Sequence, residues 1–405
     1  MAVGRCDLLV KGGTVYDGTG APGRIADVAI DGKRIAAVGD LSAWSAHEVI
    51  DASGLAVAPG FIDTHTHDDM ALLRPQGIPE KTAQGVTTVV VGNCGVSPAP
   101  FGPRDELKEP PFIFLGSGSG RKFDSFAEYR AALKQADPDV HVVTLVGHSN
   151  LRAAAMDDIH RQANNDEIAA MQGHLEEAMS AGAAGFSTGL AYPSGAASVT
   201  DEIVELAKVA ADHGGLYATH MRNEADAVVQ SVEEAIDIGR RGGASVVISH
   251  HKCGGTANWG KSAETLKRID AANGAGQSIH LDAYPYTASS TGLMAKFAAV
   301  AERVLVTEAD GAPDQAGRDL ADIMADWAAI WRSPSGASTR PRRSISRWPT
   351  KTWSASWRIR TAWSAPTGCR PTSTRIPGST APSPASSAIS PATEGCSNWP
   401  RPSTR

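Results

Sequence analysis

The residues able to do chemistry are histidines and one cysteine, and they recur at one kind of place. His65 and His67 stand two apart in GFIDTHTH, Cys94 closes VVVGNCG, His220 closes YATH, and His250 and His251 close VVISHH. Each follows a short apolar run of strand character. Residues two apart on a strand share a face, so His65 and His67 can reach one ion, with Asp63 before them on the same side. Adjacent strand residues face opposite ways, so one of His250 and His251 is expected to share that space, and spacing leaves open which. A lone buried cysteine is ordinarily a small core residue, but a thiolate among histidines is a good zinc ligand. Imidazole and thiolate donors favour zinc over magnesium or calcium, which take oxygen shells. Zinc polarises a carbonyl and acidifies a water. That chemistry hydrolyses amides, and it needs a base, usually a carboxylate, to take the proton.

The elements that must position these residues follow from patterning. Residues 1–59 alternate apolar and polar positions between glycine turns and are expected to form a small β domain. From residue 60 the pattern changes to apolar runs separated by helical stretches. The runs are GFIDTHTH, GVTTVVVGN, VHVVTLVGH, AAGFSTGL, GLYATHM, ASVVISHH and QSIHLDAYPY. Among the helical stretches are NNDEIAAMQGHLEEAMSAG, with a cap signal at Asn165 and Asp166, and TDEIVELAKVAADHGG, with one at Thr200. Alternation of this kind implies parallel strands covered by helices. Seven runs predict an α/β fold, a (β/α)8 barrel over residues 60–327 that lacks its last strand. The C-terminal strand ends of such a barrel build its active site, which is where the histidines and Cys94 fall.

Composition sets outer bounds. The five cysteines, Cys6, Cys94, Cys253, Cys369 and Cys396, are odd in number and form no CxxC pair, against a disulfide framework. No run of about 18 apolar residues suggests a membrane span, and the first residues lack the apolar core of a signal peptide. A cytoplasmic enzyme is the expectation. The net charge of −6 hides an asymmetry: residues 331–405 carry twelve basic residues and one acidic residue, Glu394, leaving a net of −17 on residues 1–330. The stretch 328–405 has neither helical nor strand period and is rich in Ser, Pro, Thr, Arg and Ala. Seven of the nine tryptophans lie from Trp327 onward, which suits neither a disordered tail nor a packed domain. A basic tail can bind nucleic acid. This one has no recognisable motif and the body is acidic, so no nucleic-acid partner is expected.

GFIDTHTHDD, GVTTVVVGNCGVSPAP, TGLAYPSG, ATHMRNEAD and SHHKCGG…NWG together resemble the N-acyl-D-amino-acid deacylase (D-aminoacylase) family of the amidohydrolase superfamily, from about residue 5 to about residue 327. The HxH start is shared across the superfamily; VGNCG and SHHK are far more specific. The resemblance implies a zinc enzyme that hydrolyses the linear amide of a small-molecule N-acyl-D-amino acid, on a barrel with a small β-sandwich domain built from both chain ends. It implies one or two zinc ions held by His65, His67, Cys94, His220 and His250, with His250 rather than His251 as the ligand. It places Lys252 and Tyr284, and more weakly Tyr192 and Arg222, against the substrate carboxylate. Read alone, Lys252 is equally a solvated surface charge, and the tyrosines are core residues with bonded hydroxyls.

The family's general base is an aspartate after strand eight, in a segment like GSDGLP, and this chain has no such segment. The tail suggests why. Shifting the frame so that each codon starts on the old third base lets WSAPTGCRP read VGSDGLP. It lets TSTRIPGSTAPSPAS read DIHPHPRLYGAFPRV, and SISRWPTKTW read a stretch like IYFAMADEDV. The aspartate would straddle the codons of Pro366 and Thr367. Two other readings remain: a cyclic-amide hydrolase acting on hydantoins or dihydroorotate, against which Cys94 in place of a lysine argues, and an inactive zinc-binding relative. Resequencing the gene from codon 315 past the stop is expected to find one base gained or lost near Trp327, with the frame then reading through SDGLP. The same frame throughout would make the chain a true relative without its base.

Overall fold

Alternating apolar residues from Cys6 to Val15 begin a small sheet. The computed structural model describes residues 4–101, 107, 109–115, 123–309, 312–332 and 357–362, in two units that divide between Gly60 and Phe61. In the first unit, β1 (Arg5–Val15), β2 (Arg24–Asp31), β3 (Arg34–Gly39), β4 (Ser45–Asp51) and β5 (Ala56–Val57) form one sheet. Its order is β3-β2-β1-β4, with β5 also on β1. β1 pairs antiparallel with β2 and parallel with β4. Cys6, Leu9, Ala29 and Leu41 pack together, whereas Ile25, Ile35, Val49, Ile50 and Leu55 are exposed. Of the expected sandwich, one layer lies among the described residues.

The second unit contains the seven apolar runs as parallel strands. β6 (Phe61–Asp63), β7 (Val86–Val91) and β8 (His141–Thr144) pair in chain order. So do β9 (Val146–Gly147), β10 (Gly185–Gly189), β11 (Leu216–His220), β12 (Ser245–Ile248) and β13 (Ile279–Leu281). β8 and β9 are one line of chain broken at Leu145, whose N–H still donates to Val91 O at 2.9 Å. Helices such as Phe126–Ala136, Asn165–Ser180, Thr200–Asp212, Val228–Gly242 and Ser262–Gly274 connect successive strands. Their apolar faces meet the strands in one core that includes Met171, Leu175, Phe186, Ile203, Leu206, Tyr217, Val246 and Ile248. Covered on both faces, the strands need not alternate; all five residues of β10 are buried.

Three details depart from expectation. The cap of helix Asn165–Ser180 is Asn164, one residue earlier than the sequence suggested, in a reciprocal capping box with Glu167. Thr200 does not cap its helix, because it is the first helical residue and the cap position falls on Val199; its hydroxyl donates to Glu234 at 2.9 Å. Within the stretch expected to lack regular structure, Trp357–Ala362 is a strand, β16, between β14 (Ala288–Gly292) and β15 (Arg303–Ala309) in an antiparallel sheet. WRIRTA is free of Gly and Pro and holds Trp, Ile and Thr, which favour strands. Among the described residues no eighth parallel strand follows β13. The codons expected to hide the aspartate, at Pro366 and Thr367, lie outside the described residues.

A buried ion pair links helix His148–Ala155, which follows β9, to helix Thr200–Asp212. Arg152 and Glu202 are fully buried, with Arg152 Nη1 donating to Glu202 Oε2 at 2.7 Å and His148 Nε2 at 2.8 Å from Glu202 Oε1. Burial alone would raise the Glu202 carboxyl, but its bonds to His148 and Arg152 hold it below the usual carboxylate range. The stability it lends is therefore present above the unfolded value of about 4.3 and is lost as pH falls through the lower folded value. Glu202→Gln is expected to cost about 3–5 kcal/mol at pH 7, by leaving Arg152 buried and unpaired, and to flatten the acid dependence of unfolding in that window. Urea unfolding across pH measures both, and an unchanged curve would refute the account.

Candidate metal centre

The site collects where strands β6, β7, β11, β12 and β13 end. Beyond β6 the chain turns through His65 and His67, and Asp63 Oδ1 accepts the His65 N–H at 3.2 Å. Lys81 pairs with Asp63 and, at 3.0 Å, with Asp68, fixing the same turn from outside. Beyond β7 comes Gly92-Asn93-Cys94-Gly95. Gly92 and Gly95 both have φ of 80°, and a Cβ on them would stand 2.0 Å from Leu145 O and 2.5 Å from Gly189 N. Only glycine allows that approach, which brings the Cys94 loop down onto the next strands. Cys94 has φ of 54° and His250 φ of 37°, and the only other described non-glycine residue with positive φ is the helix cap Asp137. Strain of this kind persists only where the surroundings over-determine it.

Those two strained turns aim their side chains at each other. Cys94 Sγ lies 3.3 Å from His65 Nε2 and 3.4 Å from His250 Nε2. A tetrahedral zinc with bonds of about 2.0 Å to nitrogen and 2.3 Å to sulfur separates such atoms by about 3.5 Å. The His65 ring lies 5.7 Å from that of His67 and 4.9 Å from that of His250, and the His220 ring 4.4 Å from that of His250. His220 is buried, neither of its ring nitrogens makes a hydrogen bond, and its Nε2 stands 3.7 Å from Glu224 Oε2. Buried polar atoms without hydrogen bonds are rare and call for a partner; an ion bound by imidazole and thiolate would be one. Burial pushes His220 and His250 well below the ordinary imidazole value, into the neutral form that ligates. Burial opposes charge on His65 too, yet the facing Cys94 sulfur and the Asp282 carboxylate raise its pKa to about 10. Imidazole nitrogens and a sulfur at these separations are a donor set that fits zinc.

His250 and His251 do face different ways, but they lie beyond the end of β12, where the positive φ at His250 rather than strand alternation parts them. His250 faces the cavity, its N–H donating to Asp282 Oδ1 at 2.6 Å, and His251 Nε2 turns to Thr265 Oγ1 at 2.9 Å. Lys252, Tyr192 and Tyr284 line the same cavity of about 520 Å³. Lys252 Nζ donates to Glu224 Oε1 at 2.7 Å and sits 5.5 Å from the Tyr284 ring centre. The Tyr192 ring packs against His220 at 4.7 Å and Phe114 at 5.6 Å. Arg222 is not brought in: its guanidinium donates to Glu234 at 2.8 Å and to the carbonyls of Ala196 and Ser198. Sequence reasoning missed Glu224, Asp282, Phe114 and Phe297, all of which line the cavity. Two left a signal. Glu224 lies four residues after His220 in HMRNE, and Asp282 is the polar residue at the end of the last apolar run.

The sequence matches the amidohydrolase family over residues 48–326. It is 49% identical over 320 residues to a D-aminoacylase of Alcaligenes xylosoxydans xylosoxydans, a match covering 79% of this chain and 66% of the relative. It is 48% identical over 339 residues to an N-acyl-D-glutamate deacylase of the same organism, covering 82% of this chain and 69% of the relative. Among solved structures, a D-aminoacylase superposes with a TM-score of 0.79 at 45% identity, covering 89% of this chain and 72% of that one. An N-acyl-D-glutamate deacylase from Bordetella bronchiseptica, complexed with zinc and a phosphonate mimic of the tetrahedral intermediate, gives 0.78 at 43% over the same shares. The fold is thus the barrel of the amidohydrolases, and this chain spans about two-thirds of the length of the sequence relatives.

The glycines flanking Cys94 offer a test separate from the ligands. Gly92→Ala is expected to destabilise the chain by at least about 2 kcal/mol, through the clash with Leu145 O and the positive φ, and to weaken zinc binding. Urea unfolding with the stability of the parent chain would show that the turn is not constrained as described.

Proposed function

Because this chain belongs to the amidohydrolase family, we propose that its site is built to hydrolyse the linear amide of an N-acyl-D-amino acid, releasing a carboxylate and a free D-amino acid. The observation that carries the reading is the approach of His65 and His250 to one cysteine sulfur, at 3.3 and 3.4 Å. His65, His67, Cys94, His220 and His250 would hold one or two zinc ions. Bound there, zinc would supply Lewis acidity for an acyl carbonyl and acidify a water.

The chain's own side chains do the rest. Lys252 keeps its ammonium although buried, because Glu224 faces it, and it offers a charged partner to the substrate α-carboxylate. The Tyr284 hydroxyl, buried in the same wall, is a second donor toward that carboxylate. Tyr192, Phe114 and Phe297 close the apolar side and exclude water.

Proton transfer is the step for which the described residues leave no free carboxylate at the cavity. Three carboxylates line the cavity, and each is committed. Asp63 is held by Lys81 and the His65 N–H, Glu224 by Lys252, and Asp282 by His65 Nδ1 at 3.3 Å and the His250 N–H. The match to the family ends at residue 326, beside Trp327, where the composition changes. Both observations support a body, residues 60–327, whose base and closing strand are encoded in another frame. The missing closing strand would also leave strand edges and apolar surface open to aggregation.

The chain as written is expected to be poorly soluble or, where soluble, to bind zinc and turn over N-acetyl-D-amino acids about 10²–10⁴-fold more slowly than a frame-restored chain. Cys94→Ala is expected to abolish that zinc binding. The restored chain is expected to hydrolyse N-acetyl-D-amino acids and not hydantoins. Hydantoin cleavage would transfer the site to cyclic amides. Full turnover by the unrestored chain would remove the need for the missing base, and zinc binding without turnover in both chains would mark a non-catalytic relative.

A further inference from the structure

We propose that Glu224 is a positioning residue that decides which nitrogen of His250 carries the ring proton, and so keeps the other nitrogen available to a metal beside Cys94. The inference rests on the zinc reading above. Three groups converge at one point: Glu224 Oε1 lies 2.9 Å from His250 Nδ1, Lys252 Nζ lies 2.8 Å from the same nitrogen, and Glu224 Oε1 is 2.7 Å from Lys252 Nζ.

A neutral imidazole has one proton to place. If His250 Nδ1–H donates to the carboxylate, Nε2 keeps its lone pair, and Nε2 is the atom 3.4 Å from Cys94 Sγ. If the ammonium donates to Nδ1 instead, the proton moves to Nε2 and that nitrogen cannot ligate. Carboxylate and ammonium therefore compete for Nδ1. Glu224 acts on both sides of the contest, accepting from Nδ1 and drawing an N–H of Lys252 to itself. Ligating histidines commonly donate their second N–H to a carboxylate in this way. Glu224 is also held in place before any ligand arrives: Asn223 Oδ1 accepts from the N–H groups of Ala225 and Ala227, and Glu224 O accepts from the Gly254 N–H at 2.6 Å.

Direct ligation is the other reading, since ligand atoms of His220, Glu224 and His250 lie within 4.8 Å of one another. The ammonium argues against it. An ion touching His250 Nδ1 would stand where Lys252 Nζ already is. The contest also joins two functions, because the lysine that Glu224 restrains is the one that meets the substrate carboxylate.

The test uses the full chain and zinc alone, with affinity read by competition against a chromogenic chelator. Glu224→Gln is expected to weaken zinc about 10–100-fold. Adding Lys252→Met to it is expected to recover most of that loss, because the competing ammonium is gone. In metal-free protein labelled with ¹⁵N-histidine, Glu224→Gln is expected to move His250 from the Nδ1–H to the Nε2–H tautomer. Zinc affinity unchanged by Glu224→Gln, a double variant no better than the single one, or an unmoved tautomer would each overturn the inference. A parent chain that binds no zinc would instead sink the zinc reading and the inference with it. A parent that binds while Glu224→Gln binds equally well sinks the inference alone.

Discussion

A sulfur held within 3.4 Å of two imidazole nitrogens in a buried pocket is a constraint before it is a catalyst. Desolvated thiolate and imidazole groups are tolerated only when they satisfy one another or share an ion. Much of the surrounding structure serves that requirement. Two glycines let the Cys94 turn approach the neighbouring strands, and positive φ at Cys94 and His250 turns the two side chains inward. Asp282 spans the gap, with one oxygen on the His250 N–H and the other on the His65 ring. The parallel strands bring these four side chains, His65, Cys94, His250 and Asp282, to one end of the unit, and the helices outside cover the strands.

The architecture was legible because parallel strands covered on both faces announce themselves as apolar runs. All seven runs became strands, and both quoted helical stretches became helices. Details that depend on side-chain partners were not legible. Thr200 has the right residue type for a cap, but the helix begins on it, with Val199 at the cap position, and its hydroxyl reaches Glu234, 34 residues away. Nothing in the spacing announces that. Arg222 lies outside the cavity lining for a similar reason: the carboxylate that claims it, again Glu234, comes from the following helix. Spacing alone left His250 and His251 open; the resemblance chose His250, and Thr265 beside the His251 ring shows what occupies the other.

The site divides along the same line. Histidine and cysteine at strand ends could be read because few other roles gather them there. Glu224 and Asp282 escaped because single carboxylates are common on any surface, and their meaning lies in what they face. Glu224 faces a lysine and two histidines, and Asp282 faces the ring of one histidine and the backbone of another. The segment β16 carries the opposite lesson. Local strand propensity suffices to pair Trp357–Ala362 with β14 and β15, although the sequence around it has no periodic pattern.

Cys94 and His250 are 156 residues apart along the chain, and Cys94 and His65 are 29 apart. An unfolded chain cannot chelate through groups so distant without closing long loops, so an ion bound by them binds the native state almost alone. The metal then acts as a thermodynamic clasp on the barrel. At a free concentration one hundred times its dissociation constant it adds about 2.7 kcal/mol to folding, a large share of an ordinary domain's margin. For a barrel whose strands β6 and β13 have no eighth strand between them among the described residues, the supply of metal in the cell becomes a determinant of how much folded protein there is, independent of any turnover.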